Sequence, residues 1–180
     1  TNVISFRSLI LPEKFPPHTE LLDLQPLPIT ALHNPQYEAL YQDSISYLNP
    51  IQTQVFQTVY ESDTNVLVAA RAGSGKGLIA EFAMLRLFAT QPEAKVLYVN
   101  PVKDVCERKF HDWTELFQNK LGIMIGRFIG DPKEDTVTLG KCKVIITTPG
   151  HLDYYTNKGL HLKLLQVGVL IEIDHSIFVW

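Results

Sequence analysis

The sequence predicts an α/β fold, a parallel sheet with helices on both faces, preceded by a proline-rich extended segment. Three observations lead there. Short, nearly continuous apolar runs (Val66–Ala69, Lys95–Val99, Lys143–Thr147 and Val167–Ile173) alternate with helical patterns, and strands apolar on both sides belong in a sheet buried on both faces. A glycine-rich stretch, Ala70-Arg71-Ala72-Gly73-Ser74-Gly75-Lys76-Gly77, joins the first apolar run to an amphipathic helix. A second acidic landmark, Asp174, ends the most apolar run.

Residues 1–35 carry Pro12, Pro16, Pro17, Pro26, Pro28 and Pro35, a density that favours an extended path over helix or sheet interior. The stretch Phe15–Pro28 has the prolines of an SH3-type ligand, but its leucines argue for a linker packed on its own protein. Tyr37, Leu40 and Tyr41 suggest a short helix between Asn34 and Tyr47, and Pro50 suits the first turn of a helix that places Ile51, Val55, Phe56 and Val59 on one face. After the glycine-rich loop, Leu78, Ile79, Phe82, Leu85 and Phe88 recur at helical spacing until Gln91-Pro92. A helix over about Val102–Asn119 turns Val105, Phe110, Trp113, Leu116 and Phe117 inward. Gly122–Ile129 reads as a strand, Gly130-Asp131-Pro132 as a turn, and Thr148-Pro149-Gly150 as the break after the strand Lys143–Thr147. The chain divides into residues 1–47, a proline-rich linker and N-terminal extension, and residues 48–180, the α/β domain, expected to continue past the last residue.

Of 180 residues, 46% are hydrophobic and 19% charged, and the formal net charge is −3. These values fit a single globular domain and exclude a general basic field for nucleic acid. Cys106 and Cys142 have neither disulfide-framework nor paired metal-site spacing. No apolar run reaches the ~20 residues of a membrane span, so no membrane partner is expected. The start at Thr1 and the apolar end Ser176–Trp180 read as the limits of a piece of a longer protein.

The chemistry sits in the glycine-rich loop. Such a loop needs small residues so that backbone N–H groups can face phosphate oxygens, a lysine that reaches the outer phosphates, and then a Ser or Thr hydroxyl for Mg²⁺. Ala72, Gly73, Ser74, Gly75 and Lys76 satisfy the first two requirements, and the following helix adds its N-terminal dipole. Position 77 is glycine and offers no hydroxyl. Arg71 either adds a phosphate contact or fills the space of the nucleotide.

The layout resembles a RecA-like P-loop domain, and flanking motifs resemble those of superfamily 2 helicases. Asn49-Pro50-Ile51-Gln52 is similar to their adenine-reading glutamine motif, and the loop to their Ala-Pro-Thr-Gly-Ser-Gly-Lys-Thr. Pro101-Val102-Lys103-Asp104-Val105 looks like motif Ia, Gly130-Asp131 like the Gly-Asp element, and Thr147-Thr148-Pro149-Gly150 like motif Ib. Leu11–Pro17, Leu21–Pro28, Asn49–Phe56 and Ala80–Arg86 further resemble the C-terminal cassette of the large double-cassette spliceosomal RNA helicases of DExH type. A sister group in transcription coactivation and alkylation repair shares the cassette. The resemblance makes residues 48–180 the first, truncated RecA-like domain, with Gln52 and Ala72 to Gly77 as nucleotide-site residues. It implies a nuclear protein, spliceosomal proteins docking on the cassette, an active N-terminal helicase cassette in the same chain, and weak or absent RNA contact through Lys103, Thr147 and Thr148, since threonine at a strand end is more often a cap.

Departures from that family weigh more than the matches. Where its second motif reads Asp-Glu-x-His, this chain has Asp174-His175-Ser176-Ile177. Asp174 keeps a carboxylate for Mg²⁺, but His175 replaces the glutamate that would orient the attacking water. A metal at the transferring phosphoryl is worth several kcal/mol, and each ~1.4 kcal/mol is tenfold in rate, so loss of hydroxyl and base together should stop hydrolysis. ATP or ADP is therefore the expected cofactor, without a functioning Mg²⁺ site and without catalytic residues, in a pseudoenzyme that serves as an interaction and regulatory platform. The rival readings are a slow ATP-dependent RNA translocase and a small-molecule kinase sharing only the loop, against which Gln52, Pro101–Lys103 and Thr147–Pro149 argue.

Overall fold

The computed structural model describes residues 24–157 and the backbone of the strands Val167–Ile171 and Ser176–Val179. Its main sheet has four parallel strands in the order β3-β4-β2-β5: β3 Ile125–Arg127, β4 Val144–Thr147, β2 Lys95–Val99 and β5 Val167–Ile171. The strand leading into the loop, β1 Val66–Ala69, instead pairs antiparallel with β6 Ser176–Val179, Val66 opposite Val179 and Ala69 opposite Ser176. The sequence pattern placed it in the parallel sheet; period and apolarity distinguish strand from helix but do not choose a partner.

Side chains alternate across the sheet. Val96, Tyr98, Val144, Ile146 and Ile125 face the larger core, where the helices α1 Pro35–Glu38, α2 Pro50–Phe56, α3 Lys76–Thr90 and α4 Lys103–Trp113 gather. Leu97 and Ile145 face a smaller core with Phe128, Cys142 and Tyr155. That second face is covered by α6 Pro132–Lys141 and α7 Pro149–Asn157, with the short α5 Asn119–Leu121 between α4 and β3. Neither α6 nor α7 stands out in the sequence, which reads as turns there. Both start at a proline, whose fixed φ and missing N–H suit a first helical turn. Asp131 also caps α6, accepting from Lys133 N at 2.8 Å.

Helix α3 is apolar nearly all round, with Leu78, Ile79, Ala80, Phe82, Ala83, Met84, Leu85 and Leu87 buried, as expected of a helix enclosed on several sides. Phe82 meets the rings of Tyr41 and Phe56 edge-on at 6.0 and 5.5 Å. The predicted helix after Val102 is α4 followed by one wide turn, Thr114–Gln118. Trp113 and Phe117 are fully buried as expected, whereas Val105 lies at the margin and its neighbour Cys106 goes inside.

The proline-rich stretch up to Asp23 lies outside the described residues. From Leu27 onward the extension packs on the core: Ile29, Leu32, Tyr37, Leu40 and Tyr41 are buried with α3. Backbone bonds from Leu48 N to Leu27 O and from Ile29 N to Ser46 O close this segment against the start of α2. Cys106 and Cys142 are both buried and not in a disulfide. Among the described residues, no helix is long and apolar enough to cross a membrane.

Candidate functional site

β1 ends at Ala69, the glycine-rich loop follows, and α3 begins at Lys76. Gly73 and Gly75 take left-handed backbone conformations, φ 78° and 83°, which turn successive N–H groups to the loop's concave side. The first turn of α3 adds donors without intrahelical carbonyls and the positive end of the helix dipole. The Ser74 hydroxyl is buried with no partner of its own. Lys76 folds back across the loop, its Nζ donating to Ala70 O at 2.6 Å and Arg71 O at 2.9 Å. Ala72 and Arg71 are exposed at the loop's outer edge.

The loop is held from beneath by the start of α2. Asn49 and Gln52 form a reciprocal cap: Gln52 N donates to Asn49 Oδ1 and Asn49 N to Gln52 Oε1, each at 2.9 Å. Both side-chain amides then reach the loop, Asn49 Nδ2 donating to Ser74 O at 3.0 Å and Gln52 Nε2 to Gly75 O at 3.1 Å. Gln52, which the resemblance assigns to adenine, is 6% exposed and also braces the loop. Asn49 did not emerge as a site residue from sequence reasoning, although the Asn-Pro-x-Gln spacing of a capping box was readable. Asn49→Ala removes the cap and one loop contact together, and unfolding by urea should show a loss of about 1–2 kcal/mol.

Gly77 and Glu81 share one face of α3. Facing them from α4 are Lys109 and Trp113, also one turn apart. Trp113 Nε1 donates to Glu81 Oε1 at 2.9 Å, Lys109 Nζ lies 3.7 Å from the same oxygen, and the ammonium sits 5.0 Å from the Trp113 ring centroid. Burial pushes the Glu81 carboxyl above the usual carboxylate range, opposed by the Lys109 charge and the Trp113 N–H. A Cβ at position 77 would lie 3.0 Å from Lys109 Nζ. Lys109 and Glu81 come from different helices, and no short motif connects them.

The other helicase-like motifs meet at the opposite end of α4. A cleft of about 180 Å³ is lined by Lys103, Arg127, Ile129, Thr148 and His151, among others. Thr147 is 2% exposed and its hydroxyl donates to Thr148 O, while Thr148 O accepts from Leu152 N in the first turn of α7. Asp135, in α6, receives the N–H groups of Ile129 and Gly130 at 2.9 Å and the Tyr155 hydroxyl, so it fixes the Gly130-Asp131 turn. Asp174 and His175 lie outside the described residues.

The residues present fit a phosphate chain: two left-handed glycines, an unpartnered hydroxyl, a lysine and a helix N-terminus converge. Among the described residues, position 77 is glycine and gives Mg²⁺ no oxygen, and an ammonium stands beside it. Among the described residues no three His, Cys, Asp or Glu side chains gather to hold a metal.

Comparison with known proteins agrees with this geometry. The family model described as DEAD/DEAH box helicase matches residues 49–177, from the cap of α2 to β6. This chain belongs to the DEAD/DEAH box helicase family. It is 47% identical over 95% of its length to the human U5 small nuclear ribonucleoprotein 200 kDa helicase, and 46% identical over 95% to the Arabidopsis thaliana DExH-box ATP-dependent RNA helicase DExH12. To human activating signal cointegrator 1 complex subunit 3 it is 43% identical over 96%. The chain spans only 8% of each of these relatives. The crystal structure of the DUF1998 helicase MrfA bound to DNA and AMPPNP matches 71% of this chain and 18% of its own, with TM-score 0.58 and 20% identity, which shows the shared fold. The domain is thus a RecA-like α/β helicase domain of DExH type, and membership of this helicase family implies an ATP-binding site.

Proposed function

We propose that residues 48–180 are the first RecA-like half of a degenerate C-terminal cassette in a double-cassette spliceosomal RNA helicase, with residues 1–47 as linker and extension. The cassette binds ATP or ADP but does not hydrolyse it. Gly77 carries this reading: the first turn of α3 has the loop geometry for phosphates and no oxygen for the metal that phosphoryl transfer requires. His175 in place of a glutamate adds to it at the level of sequence. In this role the cassette is a nuclear docking and regulatory platform for spliceosomal proteins and for an active helicase cassette in the same polypeptide. RNA contact is weak, consistent with the buried and internally bonded Thr147.

An ATPase assay on the intact cassette with Mg²⁺ should give no turnover above background, and a rate of about 1 s⁻¹ or more, ordinary for enzymes, overturns the proposal. The competing reading, a slow ATP-dependent RNA translocase, draws on the intact loop and Lys76. Joint repair by Gly77→Thr and His175→Glu separates them. A silent cassette stays silent or gains activity only after repair, whereas an active one changes little. Lys76→Ala should weaken ADP binding by at least about tenfold in calorimetric titration, as loss of a charge-assisted phosphate contact requires.

A further inference from the structure

Glycine at position 77 removes a side chain from the first turn of α3, and the space beside it is not left to solvent. The Lys109 ammonium reaches it from α4, 3.0 Å from where a Cβ would stand, with its Cε at 3.9 Å. The lysine is held there by two groups of the same helix pair: Glu81, four residues along α3 from Gly77, and Trp113, four residues along α4 from Lys109. Its side chain is only 23% exposed. A side chain at 77 would touch the ammonium, and the lysine tip would have to give by a few tenths of an ångström.

From this arrangement we infer that the Lys109 ammonium supplies, as part of the chain, the positive charge that a divalent ion supplies beside the phosphates in a metal-dependent loop, so that this site takes a nucleoside di- or triphosphate without Mg²⁺. The inference rests on the reading of the loop as a phosphate site and adds to it the cation that completes the site. Lys76 opens α3 and reaches back over the loop, Lys109 reaches the first turn from α4, and the helix dipole adds to both. An ammonium gives a point charge without the coordination sites of a metal. It can neutralise a bound phosphate but cannot present a polarised water or bridge two phosphate oxygens in a fixed octahedral geometry. Binding without turnover follows from that difference in chemistry.

Titration calorimetry of the full chain with ADP and with ATP, in Mg²⁺ and in EDTA, tests this. Wild type should bind within about threefold in the two buffers, whereas Lys109→Met should bind about tenfold more weakly in EDTA, the worth of one charge-assisted contact. Gly77→Thr restores a hydroxyl for the metal beside the ammonium, so its affinity should become about tenfold higher with Mg²⁺ than in EDTA. If Lys109→Met does not fold, Lys109→Gln, which removes the charge but keeps a polar tip, should show the same loss. Equal ADP affinity in EDTA for wild type and for a folded variant that lacks the ammonium overturns the role of Lys109 and leaves the phosphate loop standing. Absence of any nucleotide binding by wild type in either buffer removes the phosphate-site reading, and this inference with it.

Discussion

Replacing Trp113 by alanine should lower the unfolding free energy by about 4 kcal/mol or more, the upper part of the range for buried aromatics, read from urea denaturation of the full chain. The indole is fully buried, edge-on to Tyr98 at 5.1 Å and tilted against Phe117 at 6.3 Å. Its loss opens a cavity between α4 and the sheet. It also takes the N–H from Glu81, a largely buried carboxylate that keeps Lys109 nearby as a countercharge. Trp113→Phe separates the two effects. It retains much of the volume but not the donor, and its cost should be about 1–3 kcal/mol, the penalty for a buried acceptor deprived of its partner.

The second large effect is expected at Asp135. The carboxylate is 2% exposed and is held by three donors: the backbone N–H of Ile129, that of Gly130, and the Tyr155 hydroxyl. Asp135→Ala leaves all three without an acceptor, at about 1–3 kcal/mol each for those that water cannot reach, so a total loss near 3–5 kcal/mol is expected in the same denaturation experiment. The consequence is also local. Gly130 and Asp131 form the turn that starts α6, and amide hydrogen exchange should rise along Pro132–Lys141 more than along α3. Burial and the neighbouring Asp135 both hold the Tyr155 phenol in its neutral form, above its ordinary range. The hydrogen bond between them therefore persists through neutral and mildly alkaline pH.

How far this was readable from the sequence differs from element to element. The loop, α2, α3 and the Trp113 and Phe117 positions were legible because each is set by local chemistry: φ freedom at Gly75, a proline in the first turn at Pro50, and apolar residues three and four apart. The helices α6 and α7 were not. Pro132-Lys133-Glu134-Asp135-Thr136 is polar throughout and its one buried anchor is an aspartate, so periodicity gave no signal. Thr148-Pro149-Gly150 looks like a breaker because proline and glycine interrupt regular structure inside an element, yet Pro149 stands at a first turn, where it is favoured. The pairing of β1 with β6 joins segments more than a hundred residues apart, and strand character alone does not specify a partner. At the site, Gly77 was visible as a missing hydroxyl. That Lys109 occupies the adjoining space depends on how two helices cross, and no spacing within either reports it.

The double brace on the loop has a thermodynamic consequence. Ser74 and Gly75 have their carbonyls tied to side-chain amides of α2, and a Cβ at Gly75 would lie 2.4 Å from the Gln52 amide nitrogen, leaving no slack between them. The conformational entropy of this loop is thus surrendered when α2 docks on α3, during folding. A ligand that arrives later finds little disorder to remove and releases little order when it leaves. For the phosphate loop, nucleotide occupancy and shape are then nearly independent variables: a loop built this way acts as a fixed fitting and not as a moving part.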